Sequence, residues 1–133
     1  VEIESDPRKR GVGKVALVVD DNAAIREMLA DAFLSDGFKT CGEAANGREA
    51  IALAEQLNPD VIVLDLSMPV MNGLSAAAVL RKIFPRTPIV LFTLYGSEVS
   101  TAAASAAGVN LVLQKTEPLP TVIEKVHKLM GSA

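Results

Sequence analysis

Tryptophan is absent from this chain, and cysteine, histidine and tyrosine occur once each. With Cys41 alone, no intrachain disulfide can form, and a zinc site built on thiolates is argued against. Cys41 reads as a small buried apolar residue. Aromatic residues make up 4% of the chain, so the core must rest on Val, Leu, Ile and Ala. A basic excess is missing too: 13 Lys and Arg stand against 16 Asp and Glu, a net charge of −3. Duplex-binding domains carry a basic stripe or surplus, so direct nucleic-acid binding is not expected. No apolar run approaches the ~18 residues of a membrane span, and no signal peptide opens the chain. No membrane association is expected, and the setting is read as cytoplasmic.

The 133 residues that are present suit one domain, at ~100–200 residues per domain. Residues 1–13, with Pro7, Gly11 and Gly13, show no sustained period and read as a tail or linker. Within them Arg8-Lys9-Arg10 reads as a solvated triplet. A start at Val1 rather than Met fits a fragment of a longer protein. Gly13-Lys14 has the look of a P-loop end. The pattern fails, because Arg8 stands where a Gly is needed and the strand follows instead of preceding.

Over residues 14–131 short apolar runs alternate with helical patterns. The runs at 15–19, 38–44, 61–66, 89–93 and 111–114 predict strands, several of them continuous Val/Ile/Leu stretches suited to burial on both faces. Ile25, Met28, Leu29, Ala32 and Phe33 recur at helical spacing, with Asp21 or Asn22 as cap and Gly37 as stop. Asn46 to Glu49 reads as a capping box for a second helix ending before Pro59. Further helices are predicted over 74–84, 97–107 and 120–130. Five β-α units in succession give an α/β doubly wound parallel sheet covered on both faces. In such sheets the working site lies beyond the carboxyl ends of the strands.

That edge collects chemistry from four segments. Strand one runs into Asp20-Asp21, strand three into Asp65, strand four ends in Thr93, and Lys115 follows strand five. Three carboxylates brought together repel unless a cation neutralises them. Magnesium prefers such oxygen ligands and keeps positions open for phosphate oxygens. An ionised carboxylate can itself take a phosphoryl group as an aspartyl phosphate, and Asp65 suits that role. A Lys ammonium and a Thr hydroxyl can hold the remaining phosphoryl oxygens. His127, the one histidine, falls in the last helix and reads as a surface or groove residue away from this edge.

These residues resemble the receiver domain of bacterial two-component response regulators. Asp65-Leu-Ser-Met-Pro-Val-Met-Asn-Gly73 is similar to that family's phosphoacceptor loop, and Val-Val-Asp-Asp-Asn22, Thr93 and Lys115 follow in the family's order. The resemblance implies a flavodoxin-like fold with sheet order 2-1-3-4-5. It implies phosphorylation at Asp65, with Mg2+ held by Asp21, Asp65 and the Ser67 backbone carbonyl and by Asp20 through water. Thr93 and Lys115 would bind the phosphoryl group. The implied donor is a histidine kinase or a histidine phosphotransfer protein. The implied output is a shift of the face formed by the fourth helix, fifth strand and fifth helix. Glu98, Glu124, Lys125 and Lys128 on that face could pair across a homodimer. An output domain is not expected within these residues.

Three positions depart from the family pattern. Thr116 follows Lys115 where many receivers have proline. Val112 occupies a position usually held by a swinging Tyr or Phe, which predicts switching that is muted or carried by backbone movement of the Thr93–Ser97 loop. Leu94 follows Thr93, where a small residue is usual, and together with Tyr95 just beyond it would modulate access to Asp65. Two other readings compete: a degenerate receiver acting as an interaction module, and a phosphatase of the haloacid-dehalogenase kind. The latter needs a second acid two residues after its nucleophile, where Ser67 stands.

Overall fold

The computed structural model describes residues 13–94, 96 and 99–131. The expected tail up to residue 12, with Arg8-Lys9-Arg10, lies outside them, as do Tyr95 and Glu98. The strands are β1 (Val15–Val19), β2 (Thr40–Ala44), β3 (Val61–Leu64), β4 (Ile89–Thr93) and β5 (Leu111–Gln114). The helices alternate with them as α1 (Ala23–Ser35), α2 (Gly47–Leu57), α3 (Gly73–Ile83), α4 (Thr101–Ala106) and α5 (Leu119–Met130). All strand pairs are parallel, in the order β2-β1-β3-β4-β5.

Alternation along the strands divides the core into two layers. Leu17, Val19, Ile62, Leu64, Ile89 and Leu91 face α2, α3 and α4 through Ala50, Ala54, Ala76, Ala77, Leu80 and Ala104. Ala16, Val18, Val61, Val63, Val90 and Phe92 face α1 and α5 through Leu29, Phe33, Val122 and Val126. Alanine on the first layer's helices lets them approach the sheet closely, which is how a chain poor in aromatics fills its interior. Each fully buried Leu or Val contributes roughly 1.5–3 kcal/mol by leaving water.

Four helices start on side-chain caps. Asn22, Asn46, Asn72 and Ser100 accept from the backbone N–H of Ile25, Glu49, Ser75 and Ala103, respectively. Asn22, not Asp21, therefore caps α1, which leaves Asp21 for the sheet edge. The Asn46–Glu49 capping box forms, with Glu49 reaching back to the backbone N–H of Ala45. α2 ends at Leu57 and turns out through Asn58 in the left-handed region, before Pro59.

Three boundaries differ from expectation by two residues or more. β2 begins at Thr40, because Phe38 belongs to the exit turn of α1. Its N–H bonds to the Phe33 carbonyl, and its ring packs edge-on against Phe33 at 4.8 Å. β3 ends at Leu64, because the chain turns away after Asp65. α4 spans Thr101–Ala106 instead of beginning near residue 97, because Ser100 takes the extended conformation of a cap. Among the described residues, no helix is long and apolar enough to cross a membrane.

Candidate functional site

Ladder hydrogen bonds carry the sheet one residue past its strands and align the polar groups. Asp20 N–H donates to the Ala44 carbonyl, Asp65 N–H to Val19 and Lys115 N–H to Thr93, at 2.8–3.0 Å. The parallel register therefore sets the carboxyl ends of β1, β3, β4 and β5 side by side, and their next residues share one edge. Among the described residues, the buried polar side chains are Asp20, Asp65 and Thr93, and all three stand there. Burying a polar group costs stability unless it is compensated, so this concentration singles out the edge as the candidate site.

The carboxylates of Asp20, Asp21 and Asp65 each offer an oxygen within 4.8 Å of the others. Asp20 and Asp65 are buried, and Asp21 is exposed at the mouth. Lys115 reaches between the buried pair, its Nζ 2.7 Å from Asp20 Oδ2 and 3.3 Å from Asp65 Oδ1. Asp20 Oδ1 accepts the Asn22 N–H at 2.9 Å. Burial, then repulsion from Asp20, pushes the Asp65 carboxyl above its ordinary range, and Lys115 only partly opposes this. Burial pushes the Lys115 ammonium down, but the hydrogen bonds and charges of Asp20 and Asp65 outweigh it and hold Lys115 above the lysine range. One cation therefore does not neutralise the cluster. An all-oxygen site of three carboxylates with residual repulsion fits a hard divalent cation.

Two further residues shape the site, and a third lies just beyond it. Arg26, one helical turn after the Asn22 cap, donates to the Asp20 carbonyl at 2.7 Å and pairs with Glu43 at 3.5 Å, bracing the β1–α1 turn. The N–H of Gly73 donates to the Leu66 carbonyl, and α3 starts hard against the Asp65 backbone. Glu117 ties down the turn that carries Lys115. Sequence pattern did not single out Arg26 or Glu117, since each reads as an ordinary helix or loop charge. Gly73 was legible as the end of the Asp65 loop motif, though not as a steric contact.

The other expected positions separate. Ser67 sits in the loop after Asp65 with an exposed side chain. Leu94 follows Thr93 and is 58% exposed. Val112 pairs with Leu91 in the sheet and borders a cavity of about 470 Å³ between β5 and α4, lined also by Val99, Ala104 and Val109. His127 lies in the groove between α1 and α5, hydrogen-bonded to Asp36 beside Phe38. Lys125, expected as a dimer contact, is engaged within its own chain by Glu117. Cys41 is half-buried, and burial, with the Glu43 charge, pushes its thiol up to about 12.

Comparison with known proteins bears on the chain as a whole. The response regulator receiver domain family matches residues 16–127. The chemotaxis protein CheY of Thermotoga maritima is 36% identical over 118 residues, 89% of this chain and 98% of that protein. Vibrio cholerae CheY4, crystallised at low pH, superposes with a TM-score of 0.81 at 30% identity, covering 89% of this chain and 99% of that one. The response regulator TrrA of Thermotoga maritima, in complex with Mg(2+)-BeF, gives 0.79 at 34% identity, covering 87% of this chain and 98% of that one. With its five parallel strands in the order 2-1-3-4-5 and its polar edge, this chain belongs to the response regulator receiver domain family.

Proposed function

We propose that Asp65 is the phosphoacceptor, and that a phosphohistidine on a histidine kinase or histidine phosphotransfer protein is the donor. The carrying observation is the pair of buried carboxylates bridged by Lys115, with Asp65 as the one whose charge is least compensated. An Asp65 oxygen attacks phosphorus, the P–N bond to the donor imidazole breaks, and the imidazole leaves with the electron pair. No base is needed, because the ionised carboxylate has no proton to lose. Lys115, already between Asp20 and Asp65, turns its ammonium to a phosphoryl oxygen. Thr93, buried at the end of β4, offers its hydroxyl to another.

Asp20, Asp21 and Asp65, with the Ser67 carbonyl, would hold Mg2+, which supplies positive charge against the incoming phosphoryl oxygens. The relative TrrA, solved with Mg(2+)-BeF, supports this reading. The phosphoryl group adds about −1.5 to −2 charges. Lys115 and Thr93 then favour one of two loop positions, and the face formed by α4, β5 and α5 shifts with them. Val112 and the cavity beside it favour a muted version of this shift, since no aromatic ring is there to move. Exposed Leu94 suits a rim role over Asp65, and a cytoplasmic signalling setting suits the donor chemistry.

Incubation with acetyl phosphate and Mg2+, followed by intact mass, tests the assignment. One phosphoryl adduct that Asp65→Asn abolishes is expected. No adduct supports an interaction module, and sustained turnover of phosphomonoesters supports a phosphatase; either overturns the proposal.

A further inference from the structure

Lys115 has a long flexible side chain, so its ammonium bridges two buried acids only if its backbone is fixed. Proline does not follow it; Thr116 does, and it is exposed. The turn is closed instead by the next residue, and from both sides. Glu117 N–H donates to the Gln114 carbonyl at 3.0 Å, and the Gln114 N–H donates to Glu117 Oε2 at 2.9 Å. Lys115 and Thr116 are the two central residues of this doubly tied turn. The second carboxylate oxygen, Oε1, accepts from Lys125 Nζ of α5 at 2.5 Å. Lys125 and the Gln114 N–H hold the Glu117 carboxyl below its ordinary range, so it is ionised at neutral pH.

We propose that Glu117, anchored to α5 by Lys125, is the positioning residue for Lys115, doing by hydrogen bonds what a ring after the lysine would do by geometry. The proposal builds on the reading of Asp65 and Lys115 above. It also has a consequence independent of phosphoryl chemistry. Lys115 lies 2.7 Å from Asp20 and competes with any cation for that carboxylate. Loosening the turn weakens the competitor, so magnesium affinity rises even as phosphoryl capture suffers. Loss of general stability would lower both.

The test combines Glu117→Ala, Glu117→Gln, Lys115→Met and the Glu117→Ala/Lys115→Met double variant. Magnesium binding is followed by amide shifts of residues 20–22, and phosphorylation by acetyl phosphate at saturating Mg2+. Glu117→Ala is expected to bind Mg2+ about 2- to 10-fold tighter and to accept phosphoryl about 2- to 10-fold more slowly, the span of one net hydrogen bond. Glu117→Gln keeps an acceptor for the Gln114 N–H but loses the ion pair with Lys125, so it is expected to fall between the wild type and Glu117→Ala on both. In the Lys115→Met background, Glu117→Ala changes neither further. Unchanged affinity and rate in Glu117→Ala, or effects that persist without Lys115, overturn the proposal. Should Glu117→Ala fail to fold, Lys125→Met, which removes only the anchor, is held to the same two signs. A wild type that takes no adduct defeats the acceptor reading, while the magnesium arm still decides the role of Glu117.

Discussion

Gly73→Ala is the smallest change that strikes the site through its backbone. A Cβ at Gly73 would lie 2.1 Å from the Asp65 carbonyl oxygen and 3.0 Å from both the Asp65 carbonyl carbon and Leu66 Cα. Every one of these is a backbone atom, so no side chain can turn aside. Restoring ordinary contact needs a movement of about 1 Å in the segment that carries the acceptor. Overpacking of this kind costs about 1–3 kcal/mol, and the better helix propensity of alanine recovers at most ~1 kcal/mol. For a domain of this size the melting temperature falls on the order of 5–10 °C. The chemistry should suffer more than the fold, since a displacement of about 1 Å at a reacting group can cost ~100-fold in rate. Thermal unfolding and the rate of phosphorylation by acetyl phosphate, measured on one preparation, read the two effects separately. A variant that melts with the wild type and is phosphorylated at the wild-type rate would refute the contact and the role given to it.

Other expectations follow from the same geometry. Arg81 donates to the Gly108 carbonyl at 2.8 and 3.2 Å, to Phe84 at 3.0 Å and to Asn110 Oδ1 at 2.7 Å. Arg81→Ala should therefore cost about 2 kcal/mol in urea unfolding, and a change under ~0.5 kcal/mol would contradict that bolt. Asp65, raised in the folded state, binds its proton more tightly there than in the unfolded chain. Without metal, the wild type should therefore lose stability relative to Asp65→Asn as pH rises from the ordinary carboxylate range through the folded pKa of Asp65. A gap that stays constant with pH would speak against the burial of Asp65 and its repulsion from Asp20. Cys41, with its thiol pushed up to about 12, should be alkylated by iodoacetamide at pH 8 at least ~100-fold more slowly in the folded protein than in urea. Comparable rates would place the thiol in the open.

Much of this architecture is legible in the residues. Val61–Leu64 and Ile89–Thr93 are apolar runs of strand length, and burial on both faces leaves them little else to be. The capping residue Asn46 announces its helix by local chemistry that tertiary contacts do not alter. Because a parallel sheet fixes the site at its carboxyl edge, Asp20, Asp21, Asp65, Thr93 and Lys115 could be grouped before any coordinates. What stayed hidden depends on contacts between distant segments. Phe38 has the apolar character of a strand but is drawn onto Phe33, and Ser100 competes successfully with earlier residues for the start of α4. Arg26 and Glu117 are single charges whose partners, the Asp20 carbonyl and Lys125, become neighbours only after folding.

The account rests on one covalent event at one residue. Borohydride reduction of protein treated with acetyl phosphate and Mg2+ converts an aspartyl phosphate to homoserine, and peptide mass mapping reads its position. The account predicts a single conversion, in the peptide carrying Asp65, with Asp20 and Asp21 unchanged. Homoserine at Asp20 or Asp21, or none at all in a protein that retains its fold, would contradict it.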